Sequence, residues 1–477
     1  LGKEAEEVML RRVAKDCVFH TYQKKAIKFL LSHGAAGLWL DPGLGKSVVT
    51  LYAFAQLQKA RTARRMLVIA PLRVCWAVWP DEAKKWTQTK HLKVVVLHGP
   101  KKEQLLNEDA DVFCINYEGL PWLLQKGRLA KLDCDLLSMD EIHKLKHSDT
   151  TRFKMLKPFL GRFTRRWGLT GTPAPNGLMD IFGQIYCLDL GDALGPFITA
   201  FRNKYFDATG FGDYEWVLKP DEKGDTKKTE EKIYKKIRPL ILRIGNDVLG
   251  DALPKLVFND IKIDMPKEAM RVYMEMEHKL ITMLKDGTKI NAVNTAVAAG
   301  KCLQICSGSV YHQNDETWKR ESKLVHKAKL EALVDLVEEI GGKPTLLLYS
   351  YDHDRALIRK AFPKAPQVAD YSGKKSRELF DKWNRGEIPL MVAQPQSIGH
   401  GLNLQGGGQH IIWFGVPWDL TIWLQAIDRL RRQGSPFDHI FVHCLLMYRT
   451  IDMKVRGVLK GKDRTQGALL RAMLAPY

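Results

Sequence analysis

Asp41-Pro42-Gly43-Leu44-Gly45-Lys46-Ser47 stands directly after the apolar run Gly37-Leu38-Trp39-Leu40 and directly before a helical pattern over residues 48–58. Strand, glycine-rich loop and helix in that order make a phosphate cradle. The glycines let backbone N–H groups turn towards phosphate oxygens, and the helix N-terminus adds a positive partial charge. In this reading Gly43, Leu44 and Gly45 wrap the phosphates of ATP. Lys46 reaches the β- and γ-phosphates, and the Ser47 hydroxyl ligates Mg²⁺. The fit is incomplete at one place, because Leu40 occupies the position of an earlier glycine in the general pattern. Taken alone, the segment also reads as a glycine turn capping a helix.

Downstream, Leu136-Leu137-Ser138-Met139-Asp140-Glu141-Ile142-His143 is an apolar strand ending in two carboxylates. A strand tip beside a phosphate loop is where a magnesium-holding Asp and a water-activating Glu belong. Asp140 is expected to hold Mg²⁺, through water, and Glu141 to be the general base for the attacking water. An Asp-Glu pair at a strand end is often merely solvated. Its position after the loop, with strands between, favours the catalytic reading.

Short apolar, β-branched runs alternate with helical patterns in two stretches. Strands are expected at residues 37–41, 66–70, 94–97, 111–117, 136–140 and 167–170, and again at 345–350, 368–372, 390–393, 410–414 and 439–446. Continuous apolar strands between amphipathic helices imply parallel sheets covered on both faces, so the fold class is α/β with two lobes. The expected division is a first, ATP-binding lobe over 1–200, a linker and helical insertion over 201–322, a second lobe over 323–460 and a C-terminal helical extension over 461–477. Residues 219–236 read as a solvated loop or exposed helix. Residues 266–305 read as helical, with Met270, Tyr273, Met274 and Met276 in packing roles.

The formal net charge of +20 over 477 residues calls for a polyanionic partner, and nucleic acid fits best. None of the eight cysteines forms a Cys-x-x-Cys pair, which argues against a zinc site and a disulfide framework and for a reduced, intracellular setting. No apolar stretch is long enough for a membrane span, and no signal peptide is visible.

The order of the loop, Asp140-Glu141-Ile142-His143 and Leu169-Thr170-Gly171-Thr172-Pro173 resembles helicase superfamily 2, and most closely its Swi/Snf-type DNA translocases. That branch uses a Gly-Leu-Gly-Lys loop without the earlier glycine, which accounts for Leu40. The resemblance extends to Tyr22-Gln23, where Gln23 would read adenine. It extends also to Gly399-His400-Gly401-Leu402-Asn403-Leu404 and to the run from Gln425 to Gly434 that carries Arg429 and Arg432. It implies two RecA-like lobes, nucleotide contact at Gly401, and Arg429 and Arg432 on one helix face as arginine fingers. Ser435 stands where the family has Gln, and Ile244, Gly245 and Asn246 stand where basic residues are usual at the crossing between lobes. The stretch 398–433 looks most like compact phage and prophage members, which would place the protein in the cytoplasm of a bacterial host if it is phage-encoded.

By the same resemblance, Pro71, Leu72, Arg73, Asn116, Tyr117, Thr170, Gly171 and Thr172 would grip the DNA backbone from one sheet edge, with Ser350, Ser372, Gly373 and Asn403 as candidates in the second lobe. The implied function is a monomeric, DNA-dependent ATPase that moves along duplex DNA, with single-stranded DNA as a further partner. A strand-separating helicase and an ATP-gated clamp are the alternatives. Unwinding needs an aromatic wedge, and Tyr205, Phe206, Phe211, Tyr214 and Trp216 are the nearest candidates, although packing is the expected role.

Overall fold

The computed structural model describes residues 19–171, 173–174, 177–209, 215–222, 224–245, 248, 253–286, 289–313, 320–398 and 402–460. The chain divides into two compact units, with the main boundary between residues 250 and 251.

The first unit is built on β1 (Ala35–Leu40), β2 (Met66–Ala70), β3 (Val94–Val96), β4 (Val112–Asn116), β5 (Leu136–Asp140) and β6 (Arg165–Thr170). Most residues of these strands are buried, as strands covered on both faces require. The short strands β7 (Phe206–Thr209) and β8 (Glu215–Leu218) form a sheet of their own. A seventh strand, β9 (Ile241–Ile244), completes the main sheet in the order β3-β4-β2-β5-β6-β1-β9, and every pairing is parallel. All the loops that leave the strands' C-terminal ends therefore emerge along one edge. Tyr205 and Phe206 are buried and Trp216 half-buried against this unit's core, the packing role expected of them. Phe211 and Tyr214 lie outside the described residues.

The second unit contains β10 (Lys255–Ile263), the hairpin of β11 (Ser309–Gln313) and β12 (Arg320–Leu324), then β13 (Thr345–Leu348), β14 (Leu390–Ala393), β15 (His410–Trp413) and β16 (His439–Met447). Its five-stranded sheet runs β10-β16-β15-β13-β14, again all parallel. Helices Lys267–Asp286 and Lys289–Cys306 fill the expected helical stretch. Met270 and Met276 pack on this unit's core, whereas Met274 is exposed. None of the helices among the described residues is long and apolar enough to cross a membrane. The expected C-terminal extension, 461–477, lies outside the described residues.

Three segments depart from expectation. Residues 368–372 form no strand: Val368–Asp370 is a 3-10 turn, and only Gln367 bridges to Val392. Pro366 has no N–H to extend a ladder, and Asp370 is turned back onto Arg355 and Arg359. Conversely, β9 and β10 arise inside the stretch read as linker and insertion. Both are edge strands interrupted by charged residues, Arg243 in β9 and Lys255, Asp260 and Lys262 in β10, so they lack the continuous apolar signal of a central strand.

His410 on β15 and His443 on β16 face one another at 3.1 Å (Nδ1 to Nε2). Burial, with the neighbouring His443 and Lys343, pushes His410 down to about 4, and burial lowers His443 too. A histidine whose proton is harder to hold in the fold stabilises it above the unfolded value of about 6.5 and loses that contribution as pH falls. The second unit is therefore expected to lose thermal stability between pH 6.5 and pH 4. His410→Phe should flatten that loss in calorimetric scans, and an unchanged pH slope in the variant would exclude the pair as its source.

Candidate active site

The phosphate loop begins where β1 ends. Leu40, the residue in place of the earlier glycine, is fully buried as the last residue of β1, so it serves the core and not the loop. Gly43 and Gly45 adopt φ values of 90° and 82°, a region that side chains rarely tolerate. Gln23 lies against the loop: its Nε2 donates to the Leu44 carbonyl at 3.3 Å, and a Cβ on Gly45 would sit 2.6 Å from that same nitrogen. Lys46 opens the helix Lys46–Lys59 and curls its Nζ back to donate to the Leu40 carbonyl at 2.9 Å. Ser47 occupies the same first turn.

The two carboxylates follow β5. Asp140 is buried, and Trp79, itself fully buried, donates its indole N–H to Oδ2 at 3.1 Å. Burial first, and then the neighbouring Glu141, push the Asp140 carboxyl up to about 7, while Lys46 and the Trp79 indole oppose the rise. Glu141 adopts φ 55° and ψ 51°, a left-handed conformation that costs a non-glycine residue about 1–3 kcal/mol. The Tyr117 hydroxyl holds this turn by donating to the Asp140 carbonyl at 2.8 Å and to that of Glu141 at 3.3 Å. His143 Nδ1 lies 3.3 Å from Glu141 Oε2 and 3.0 Å from Thr170 Oγ1. The end of β6 is thereby tied to the carboxylate turn. The next residue, Gly171, rests on the phosphate loop, since a Cβ there would lie 2.8 Å from Pro42 Cδ.

Two of the residues expected to touch DNA have their hydroxyls engaged inside the fold. Tyr117 is buried with its hydroxyl committed to two backbone carbonyls, and Thr170 is fully buried with its hydroxyl on His143. Both hydroxyls lie against the turn that follows β5. Pro71 caps the helix Leu72–Ala77 and is buried, while Asn116 is buried with its amide on Glu118. Arg73 and Gly171 remain partly exposed on this edge. Thr172 lies outside the described residues.

In the second unit, the helix Leu420–Ile427 stops before either arginine, so Arg429 and Arg432 lie in the turns beyond it and not on one helix face. They converge all the same. Both donate Nη1 to the Leu402 carbonyl, at 3.3 and 3.4 Å, and Arg432 also donates to Asn403 Oδ1 at 2.7 Å. Ser435, the departure from the family pattern, bonds the Gln405 carbonyl at 3.4 Å and so helps fasten the same loop. The Ser350 hydroxyl donates to the Gly415 carbonyl, and Gly373 opens the helix Gly373–Asn384 with Ser372 as its cap. Gly401 lies outside the described residues.

The SNF2-related domain model matches residues 22–307, well over half of the chain. The chain belongs to the SNF2-related family. Its relatives include protein p41 of Acyrthosiphon pisum secondary endosymbiont phage 1, 33% identical over 95% of this chain and 98% of that protein. An uncharacterized ATP-dependent helicase of Mycoplasma genitalium is 24% identical over 93% of this chain, which spans 41% of that protein's length. Among solved structures, the Sulfolobus solfataricus SWI2/SNF2 ATPase core in complex with double-stranded DNA aligns at a TM-score of 0.45 and 22% identity, over 96% of this chain and 95% of that one. As an SNF2-related protein the chain is an ATP hydrolase. The family motifs at Gln23, Lys46, Asp140, Glu141 and Gly171 all fall within the matched span. Trp79 touches Asp140 as well, yet no sequence motif marks it, because an apolar residue is recognised as a carboxylate's partner only once the chain has folded.

Proposed function

We propose that this SNF2-related ATPase is a motor that moves along duplex DNA. Hydrolysis would begin with ATP seated on residues 43–47 and its adenine read by Gln23. Glu141 takes the proton of the attacking water, and Arg429 and Arg432 steady the charge that develops on the γ-phosphate. The observation that carries the reading is the link Glu141–His143–Thr170. It joins the proton acceptor to the end of β6, on the sheet edge where Arg73 and Gly171 are partly exposed, so a partner held on that edge can bias the carboxylate.

Mg²⁺ fits the residues present. Asp140 is a buried carboxyl beside Lys46 whose proton is retained to about 7, a group that a cation would discharge, and Ser47 supplies a hydroxyl. No group of three or more His, Cys, Asp or Glu able to hold a metal occurs among the described residues. Asp140 and Ser47 would hold the ion, which would supply positive charge to offset that of the phosphates. The Trp79 N–H favours the ionised form of Asp140, so Trp79→Phe is expected to raise the Mg²⁺ concentration needed for half-maximal ATPase activity at neutral pH. An unchanged Mg²⁺ titration would remove Trp79 from the site.

The net charge of +20 supports a backbone-gripping partner. ATPase turnover compared without polynucleotide and with duplex DNA, single-stranded DNA and RNA ranks the partners. Displacement of a third strand from a triplex reports movement, whereas release of a forked duplex reports strand separation. Triplex displacement with little fork opening is the expected pair of results. Packing of Tyr205 and Phe206 in the first core leaves those two aromatics without a wedge's exposed tip, and Trp216 is half-buried against the same core. Fork opening as fast as displacement would favour the helicase reading, and turnover without displacement would favour the clamp. Binding is expected to weaken steeply with salt and to show little sequence preference; a flat salt response would count against a phosphate grip.

A further inference from the structure

The loop that receives both arginines of the second unit is itself held from beneath by two adjacent residues. Trp383 and Asn384 end the helix Gly373–Asn384. Trp383 is fully buried, and its indole Nε1 donates to the Leu404 carbonyl at 2.9 Å. Asn384 uses both ends of its amide on the same loop: Nδ2 donates to the Asn403 carbonyl at 2.8 Å, and Oδ1 accepts from the Gly406 N–H at 3.3 Å. The fit against the indole is close enough to exclude a side chain, since a Cβ on Gly407 would lie 2.3 Å from Trp383 Nε1. On its other side the loop presents the Leu402 carbonyl to Arg429 and Arg432, and Asn403 Oδ1 to Arg432. Asn403 therefore has its main chain fixed by Asn384 and its side chain engaged by Arg432.

We propose that Asn384, supported by Trp383, is a positioning residue for Arg432 and Arg429. It fixes residues 402–406 so that the Leu402 carbonyl and the Asn403 side chain hold the guanidinium groups in one arrangement. This assignment rests on the reading of those arginines as the groups that complete the ATP site. A guanidinium that must meet a developing charge loses efficiency when its resting place is blurred, because a small misplacement in a transition-state contact is felt in turnover and not in ground-state binding. The Asn384 amide bonds only Asn403 and Gly406 among the described residues, both in the second unit, so KM for ATP is the quantity expected to be spared.

The test is a double-mutant cycle on steady-state ATPase activity with duplex DNA present. Asn384→Ala is expected to lower kcat roughly tenfold while leaving KM for ATP nearly unchanged. In an Arg432→Ala background the same substitution should have a clearly smaller effect, because only the route through Arg429 is left. Asn384→Asp keeps the acceptor for Gly406 but loses the donor to Asn403. It should reproduce the loss in kcat, and thermal melting of each variant separates this from unfolding. If Arg432→Ala is slow and Asn384→Ala is not, the positioning role is overturned while the arginine reading stands. Losses that multiply in the double variant overturn it equally. If Arg432→Ala keeps full turnover, the reading of the arginines falls first.

Discussion

Glu141→Gln is expected to bind ATP at least as well as the wild-type chain and to hydrolyse it roughly 10²–10⁴-fold more slowly, the range of a lost general base. The substitution keeps shape and polarity but removes the proton acceptor. It also removes the like charge that helps to raise the neighbouring Asp140 carboxyl, so Asp140 ionises more readily and the nucleotide side of the site does not suffer. The backbone turn survives, because the Tyr117 hydroxyl grips main-chain carbonyls and not the Glu141 side chain. His143 loses the neighbouring carboxylate while retaining Thr170 within reach. Fluorescent-nucleotide titration and single-turnover hydrolysis measure the two halves separately. Near-normal turnover would show that another group accepts the proton. Lys46→Ala, in contrast, is expected to damage both binding and turnover.

Arg432→Ala is expected to leave nucleotide binding intact and to cut DNA-stimulated turnover by about 10³-fold, the effect of a fully engaged arginine finger. The phosphate loop belongs to the other compact unit, which is why binding should be spared. Arg429→Ala is expected to be as slow, with an added fall in melting temperature. Arg429 is only 7% exposed and donates to both the Gln425 and Leu402 carbonyls, so its removal strips buried acceptors of a partner. The two variants thus differ in stability while agreeing in turnover. Full DNA-stimulated turnover in both would mean that the second unit supplies no charge to the reaction.

Much of this was legible locally. Glycines at 43 and 45, a lysine at 46 and paired acids at 140 and 141 are short-range patterns. Strands buried on both faces announce themselves by uninterrupted apolar runs. Edge strands do not. β9 reads Ile-Leu-Arg-Ile and β10 carries Lys255, Asn259, Asp260 and Lys262, so each resembles linker until its partner is known. Residues 368–372 failed in the opposite sense: they look like a strand, but Pro366 and the claims of two arginines on Asp370 leave a single bridge. Arg429 and Arg432 have helical spacing, yet the helix ends at Ile427 and the shared Leu402 carbonyl, not a helix face, brings them together.

The sequence by itself determined the α/β class, the position of the phosphate loop and the identity of the groups available for chemistry, since each depends on residues within one turn or one strand. Tertiary structure alone decided which groups meet. Parallel pairing sets β5 and β6 side by side, which puts Thr170 in reach of His143, and the helix Trp79–Lys85 delivers an indole N–H to Asp140. It also withdrew Tyr117 and Thr170 from the surface by giving their hydroxyls interior partners. A side chain's residue type is written locally, but its hydrogen-bond partner and its exposure are fixed by segments distant in the chain, and only the folded sheet brings those segments together.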